Sequence, residues 1–156
     1  MAVHVRVRLT RTKIDVQHFA RLAKRVLAAG GESESDLSIE LVGDRRMRRL
    51  NRRYRKKDRT TDVLAFAMRE AKGPRTPLLG DVVISVPAAM KQAVQAGRSL
   101  SEELAVLLIH GFLHLCGYDH ERSTRDARRM QRKERAVLQF ISPLPTLVVH
   151  SRHPHR

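Results

Sequence analysis

The chain has 156 residues, which fits one domain and leaves no room for a second of ordinary size. Hydrophobic residues make up 42% and charged residues 30%, enough apolar material for a core, so disorder throughout is excluded. Lys and Arg number 31 against 16 Asp and Glu, and the formal charge of +15 points to a polyanionic partner, nucleic acid ahead of an anionic membrane.

Val3, Val5, Val7 and Leu9 share one face at period two and predict a strand. Asp15 then caps a helix running to about Ala29, which Gly30-Gly31 ends. Leu37, Ile39 and Leu41 mark a second strand, and Gly43-Asp44 opens a helix through about Arg55. Thr61 to Phe66 and Gly80 to Ser85 read as two further strands, with the turn residues of Lys72 to Pro77 between them. After Pro87 the pattern is helical. Ser99-Leu100-Ser101-Glu102 fits a capping box, and the helix it starts continues almost without polar interruption to Cys116, the mark of a buried helix. A last basic helix spans about Thr124 to Phe140. The expected architecture is a single α/β (α+β) domain over residues 1–142. Four strands pack with about five helices, and 143–156 form a flexible basic tail.

The longest unbroken apolar run, Leu104 to Ile109, is far short of the roughly 20 residues a membrane span needs. No lipidation signal or signal-peptide core is seen, so a cytoplasmic location and no membrane partner are expected. The single cysteine, Cys116, agrees with a reducing compartment and reads as a small buried hydrophobe.

Three of the eight histidines lie in His110-Gly111-Phe112-Leu113-His114-Leu115-Cys116-Gly117-Tyr118-Asp119-His120. On a helix His110 and His114, four apart, stack on one face and reach one ion. Gly117 lets the chain turn back so that His120 approaches the same point. Three neutral nitrogens suit Zn2+ or a similar divalent ion, one per chain, and leave a position open for water or substrate. The spacing is that of the long zincin motif, but Gly111 stands where peptidases carry the Glu general base, which argues against peptide hydrolysis. The competing account makes His110 and His114 satisfied core residues and His120 an exposed one, which three histidines at this spacing disfavour. His4, His18, His150, His153 and His155 show no comparable spacing.

Arg45 through Arg59 carries ten positive charges in fifteen residues, with Met47, Leu50 and Tyr54 forming a narrow stripe that docks the helix. Such a face neutralises phosphates and predicts affinity that falls steeply with salt; a merely solvated face is the blander account. Arg125, Arg128, Arg129, Arg132, Lys133 and Arg135 add a second basic surface. Aromatics are only 4% and Trp is absent, so recognition of backbone and shape is expected rather than a stacking platform.

The segment HGFLHLCGYDH resembles the signature of the YbeY family of bacterial rRNA-maturation endoribonucleases. Leu50-Asn51 with Tyr54-Arg55-Lys56-Lys57-Asp58, Thr61-Asp62-Val63-Leu64-Ala65-Phe66 and Leu79-Gly80-Asp81-Val82-Val83-Ile84 are similar to further stretches of that family. Ala65 and Ala67 depart from its usual Ser and Pro. The resemblance implies a single-domain α/β fold with a small mixed four-stranded sheet, in which His110, His114 and His120 hold zinc and Arg55 is the cleft arginine. It also implies action on small-subunit rRNA, especially its 3′ end, and a part in ribosome assembly and quality control. A ribosomal protein or an assembly GTPase is the partner it suggests.

The expected activity is therefore a zinc-dependent, single-strand-acting endoribonuclease, with His114 and Arg55 as catalytic residues. Arg55, a planar cation, suits the extra charge of a pentavalent phosphoryl transition state. Asp81 is a candidate to orient a ligand imidazole, with a turn role equally open, and Asp119 is expected to shape its loop. Two rivals remain: a ribosome-assembly RNA-binding factor with a structural metal, and a metal hydrolase of another substrate.

Overall fold

The computed structural model describes residues 2–56, 61–69 and 77–149. Its elements run β1 (Val3–Arg8), α1 (Val16–Ala29), β2 (Asp36–Val42), α2 (Asp44–Arg55), β3 (Val63–Ala67), β4 (Leu78–Ser85), α3 (Val86–Ala96), α4 (Leu100–Leu115) and α5 (Thr124–Ile141). The sheet order is β1-β2-β4-β3, with β1, β2 and β4 parallel and the edge strand β3 antiparallel to β4. This is the expected mixed four-stranded sheet with five helices. The expected loop from Lys72 falls mostly outside the described residues, as do Lys57 to Thr60 and the tail histidines.

Alternation along the strands sorts the two faces. Val3, Val5 and Val7 join Leu37, Ile39, Leu41, Val82 and Ile84 in the main core, while His4, Arg6 and Arg8 stay exposed on the other face. On the core face α1 packs on β1, α4 lies on β3 and β4, and α5 closes over α1 and α4. On the opposite face α2 covers only one side of the sheet. Met47 seats there with Val42, Leu64 and Val83, and Leu50 and Phe66 pack around them.

The helix α4 is buried almost all round, with Leu104, Leu108 and Phe112 fully enclosed. Each such side chain contributes roughly 1.5–3 kcal/mol by leaving water. The helix begins at Ser99, whose side chain accepts from the Glu102 amide, as the capping pattern predicts. Its close seat on the sheet depends on Gly111: a Cβ there would stand 2.7 Å from Val82 Cγ1 and 3.2 Å from Val63 Cγ2. The residue that replaces the peptidase Glu therefore faces the sheet and has no room for any side chain.

The segment after Pro143, expected to be loose, is held over its described length. Leu147 is fully buried, its amide donates to Ser101 Oγ (2.9 Å), and its carbonyl accepts from the Asp15 amide (2.8 Å). An isolated bridge pairs Val148 with Ile14, so the apolar Leu147-Val148 pair overrides the turn-rich composition before it. Among the described residues no helix is long and apolar enough to cross a membrane.

Candidate functional site

Four residues apart on α4, His110 and His114 emerge from one face, and a left-handed turn brings the third histidine to them. Gly117 adopts φ +96°, its amide donates to the His114 carbonyl and the Tyr118 amide to that of Leu113. This paired closure is the Schellman arrangement, and glycine adopts it without the steric cost that a Cβ brings. The Tyr118 ring packs on the core with the Arg129 guanidinium 5.3 Å from its centroid. The Asp119 carboxylate accepts from the Glu121 amide at 2.9 Å, the loop-shaping bond expected of it.

The three imidazoles thus offer ligand atoms all within 4.8 Å of one another. His110 Nε2 and His114 Nε2 are 3.2 Å apart. Two nitrogens each 2.0–2.1 Å from a tetrahedral zinc ion would stand roughly 3.3 Å apart, so this donor set fits such an ion. Burial, followed by the neighbouring His110 and His120, holds the His114 imidazolium below its ordinary range, and Arg55 adds to the effect against an opposing Asp119. A neutral ring is the form that binds metal.

The histidines form one wall of a cleft of about 580 Å³, and the other is formed by Asn51 and Arg55 on α2, Ala65 on β3 and Asp62 just before that strand. Arg55 is exposed, and its Nη2 donates to the Ala65 carbonyl at 3.2 Å. A fixed guanidinium thus faces the same space as the histidines, and the chemistry such a space supports is that of a phosphate ester beside a metal.

The structure also displaces some expectations. Asp81 is not beside the histidines: Val82 packs beneath α4, so Asp81 points to the opposite face of the sheet, where Ser38 hydrogen-bonds it. Burial, against the Ser38 bond, raises its carboxyl above the usual range, and Glu40 adds to the rise. Two carboxylates do approach these imidazoles: Glu134 on α5, with Oε1 3.5 Å from His110 Nδ1, and Glu121, with Oε1 4.0 Å from His120 Nε2. Nothing in the local sequence links residues 110 and 134; only the packing of α5 on α4 does. Asn51 was legible, since it lies one turn before Arg55 on the same helix face. It is buried in the cleft wall, whereas Tyr54, expected to dock α2, is 54% exposed. Cys116, expected to be buried, is exposed at the end of α4, yet desolvation and the Glu32 charge push its thiol up to about 11.

Known proteins place this arrangement. A family model described as Endoribonuclease YbeY matches residues 4–142, a span that includes all three histidines and Arg55. The chain is 43% identical to the endoribonuclease YbeY of Geobacter metallireducens, over 90% of this chain and 96% of that one. With that of Aquifex aeolicus it shares 41% identity, covering 88% and 91% of the two chains. A solution structure from Thermotoga maritima superposes with a TM-score of 0.63 at 23% identity, covering 89% of this chain and 88% of that one, which shows a shared fold. With a family match over residues 4–142 and relatives above 40% identity over most of both chains, the chain belongs to the endoribonuclease YbeY family.

Proposed function

We propose that this protein is a zinc-dependent endoribonuclease that cuts single-stranded segments of ribosomal RNA during maturation of the small-subunit 3′ end and ribosome assembly, in the cytoplasm. The observation that carries the reading is the single cleft in which three convergent histidines face a tethered arginine. Zinc held by His110, His114 and His120 would supply Lewis-acid chemistry at a phosphoryl oxygen. The rest falls to the chain. Arg55 binds the scissile phosphate and meets the added negative charge of the pentavalent transition state. Asn51 buttresses the wall from which Arg55 projects. Asp119, through its bond to the Glu121 amide, keeps His120 turned toward the other two rings. The exposed arginines of α2 hold the flanking backbone. Partners on this reading are the small ribosomal subunit, a ribosomal protein and an assembly GTPase.

The test is cleavage of a precursor small-subunit rRNA fragment by untagged wild type, His114→Ala and Arg55→Ala, purified in parallel with metal measured on each. Discrete cuts by wild type alone, with Arg55→Ala retaining its metal, support the reading, and the end group shows whether water or the 2′-hydroxyl attacks. Cutting by all three identifies a contaminant. Tight RNA binding and full metal without cutting would replace the enzyme by an RNA-binding assembly factor.

A further inference from the structure

A second cleft, of about 480 Å³, lies on the sheet face opposite the histidines, between α2 and the exposed side of β1. Its volume falls in the range that encloses a small organic ligand. The floor and the rims differ in chemistry. On the floor Glu40 is neutralised by Arg8 and Arg46, but Asp81 has no cation paired with it among the described residues, only the Ser38 hydroxyl. One wall is aromatic: the exposed Tyr54 ring meets Phe66 edge-on, with centroids 5.2 Å apart, and Arg53 stacks on the Tyr54 ring at 5.4 Å. The rims carry Arg6 on β1 and, beside the Tyr54 ring, Arg53 on α2. Phosphates belong on such rims and not on an acidic floor. A planar group with N–H donors belongs between the ring and the carboxylate, because a carboxylate only accepts hydrogen bonds.

Continuity with the histidine cleft identifies the ligand further. Tyr54 and Arg55 are consecutive on α2 and line different clefts. On the edge strand β3, Ala65 lines the histidine cleft and Phe66 the second. The two clefts thus adjoin across the β3 edge, and a single strand of RNA with its phosphate at Arg55 would reach the second by crossing that edge.

We infer that this second cleft is a base-binding subsite for the same RNA strand. An unpaired guanine stacks on Tyr54 and presents its adjacent N1–H and N2–H donors to the Asp81 carboxylate. Guanine is favoured over uracil because two neighbouring donors match two carboxylate oxygens, whereas uracil offers one donor between two carbonyls. The inference rests on the RNA-binding reading above, and it adds a sequence preference that charge alone does not supply.

Fluorescence anisotropy of the metal-loaded full chain with labelled U8 and U4GU3 RNA, with oligomer integrity checked on a gel, tests it. Wild type is expected to bind U4GU3 at least about fivefold tighter than U8. Asp81→Asn should remove that difference, bringing the ratio of the two affinities to about one. Tyr54→Ala should weaken U4GU3 by about 5–100-fold and Tyr54→Phe restore it. Salt-dependent binding of both oligomers with no preference for guanine, or a preference that survives Asp81→Asn, overturns the subsite and leaves the endoribonuclease reading intact. No binding of either oligomer at low salt overturns both.

Discussion

Arg55 is held by one N–H to the Ala65 carbonyl, and on the proposed reading its value lies in a planar fork rather than in charge alone. Arg55→Lys is expected to keep the metal and lower kcat about 10²–10³-fold, as measured by single-turnover cleavage beside metal analysis. The contact of Glu134 with His110 Nδ1 leaves Nε2 as the ligand atom. Glu134→Gln should therefore weaken zinc binding about 10–100-fold in competition with a chromophoric chelator, without changing the fold. His114 sets a pH dependence in the metal-free protein. Its folded pKa lies below the ordinary value of 6.5, so below that pH the unfolded chain holds a proton that the folded chain resists. Stability is thus intact above about pH 6.5 and falls as pH drops toward the folded pKa. Denaturant midpoints at pH 7.5 and 5.5 should show this, and His114→Asn should flatten it.

Among the elements, α4 was the most legible, because its start, its burial and its end are all local signals: the Ser99 cap, the apolar run and the left-handed Gly117. The two basic helices were placed to within a residue or two by the same kind of signal. Less legible was which side of an element faces what. Asp81 sits on a strand correctly expected, but only the seating of α4 over Val82 decides that it turns away from the histidines. On α2 the narrow stripe suggested docking through Tyr54, while Tyr54 meets the edge strand at Phe66 and stays exposed, and the buried polar residue Asn51 takes the inner face. The seating of α4 gives a test of its own. Gly111→Ala places a methyl 2.7 Å from Val82 Cγ1 and should cost about 1–3 kcal/mol by denaturant unfolding, with zinc affinity falling as α4 lifts from the sheet.

For the whole molecule, composition gives a basic chain for which a polyanionic partner is expected, and the structure sets part of that charge along α2 and beside the clefts at Arg6 and Arg55. What composition concealed was long-range. The apolar Leu147-Val148 pair returns to α4 and the entry of α1 from a segment that reads as a tail. Likewise, Glu134 reaches His110 only because α5 packs across α4. Replacing Arg45, Arg49 and Arg52 together by Gln should make the fall of log affinity with log salt shallower, by about 0.7 for each phosphate of a single strand that these arginines neutralise, with metal content unchanged. On the proposed reading the three-histidine cluster holds the ion on which RNA cleavage depends. The most direct test is titration of zinc into metal-free protein while cleavage of an rRNA fragment is followed. Activity that rises in proportion to added zinc and levels off at about one ion per chain, with none from His110→Ala at any zinc level, is the predicted result. Full cleavage by the metal-free protein, or by His110→Ala, would contradict it.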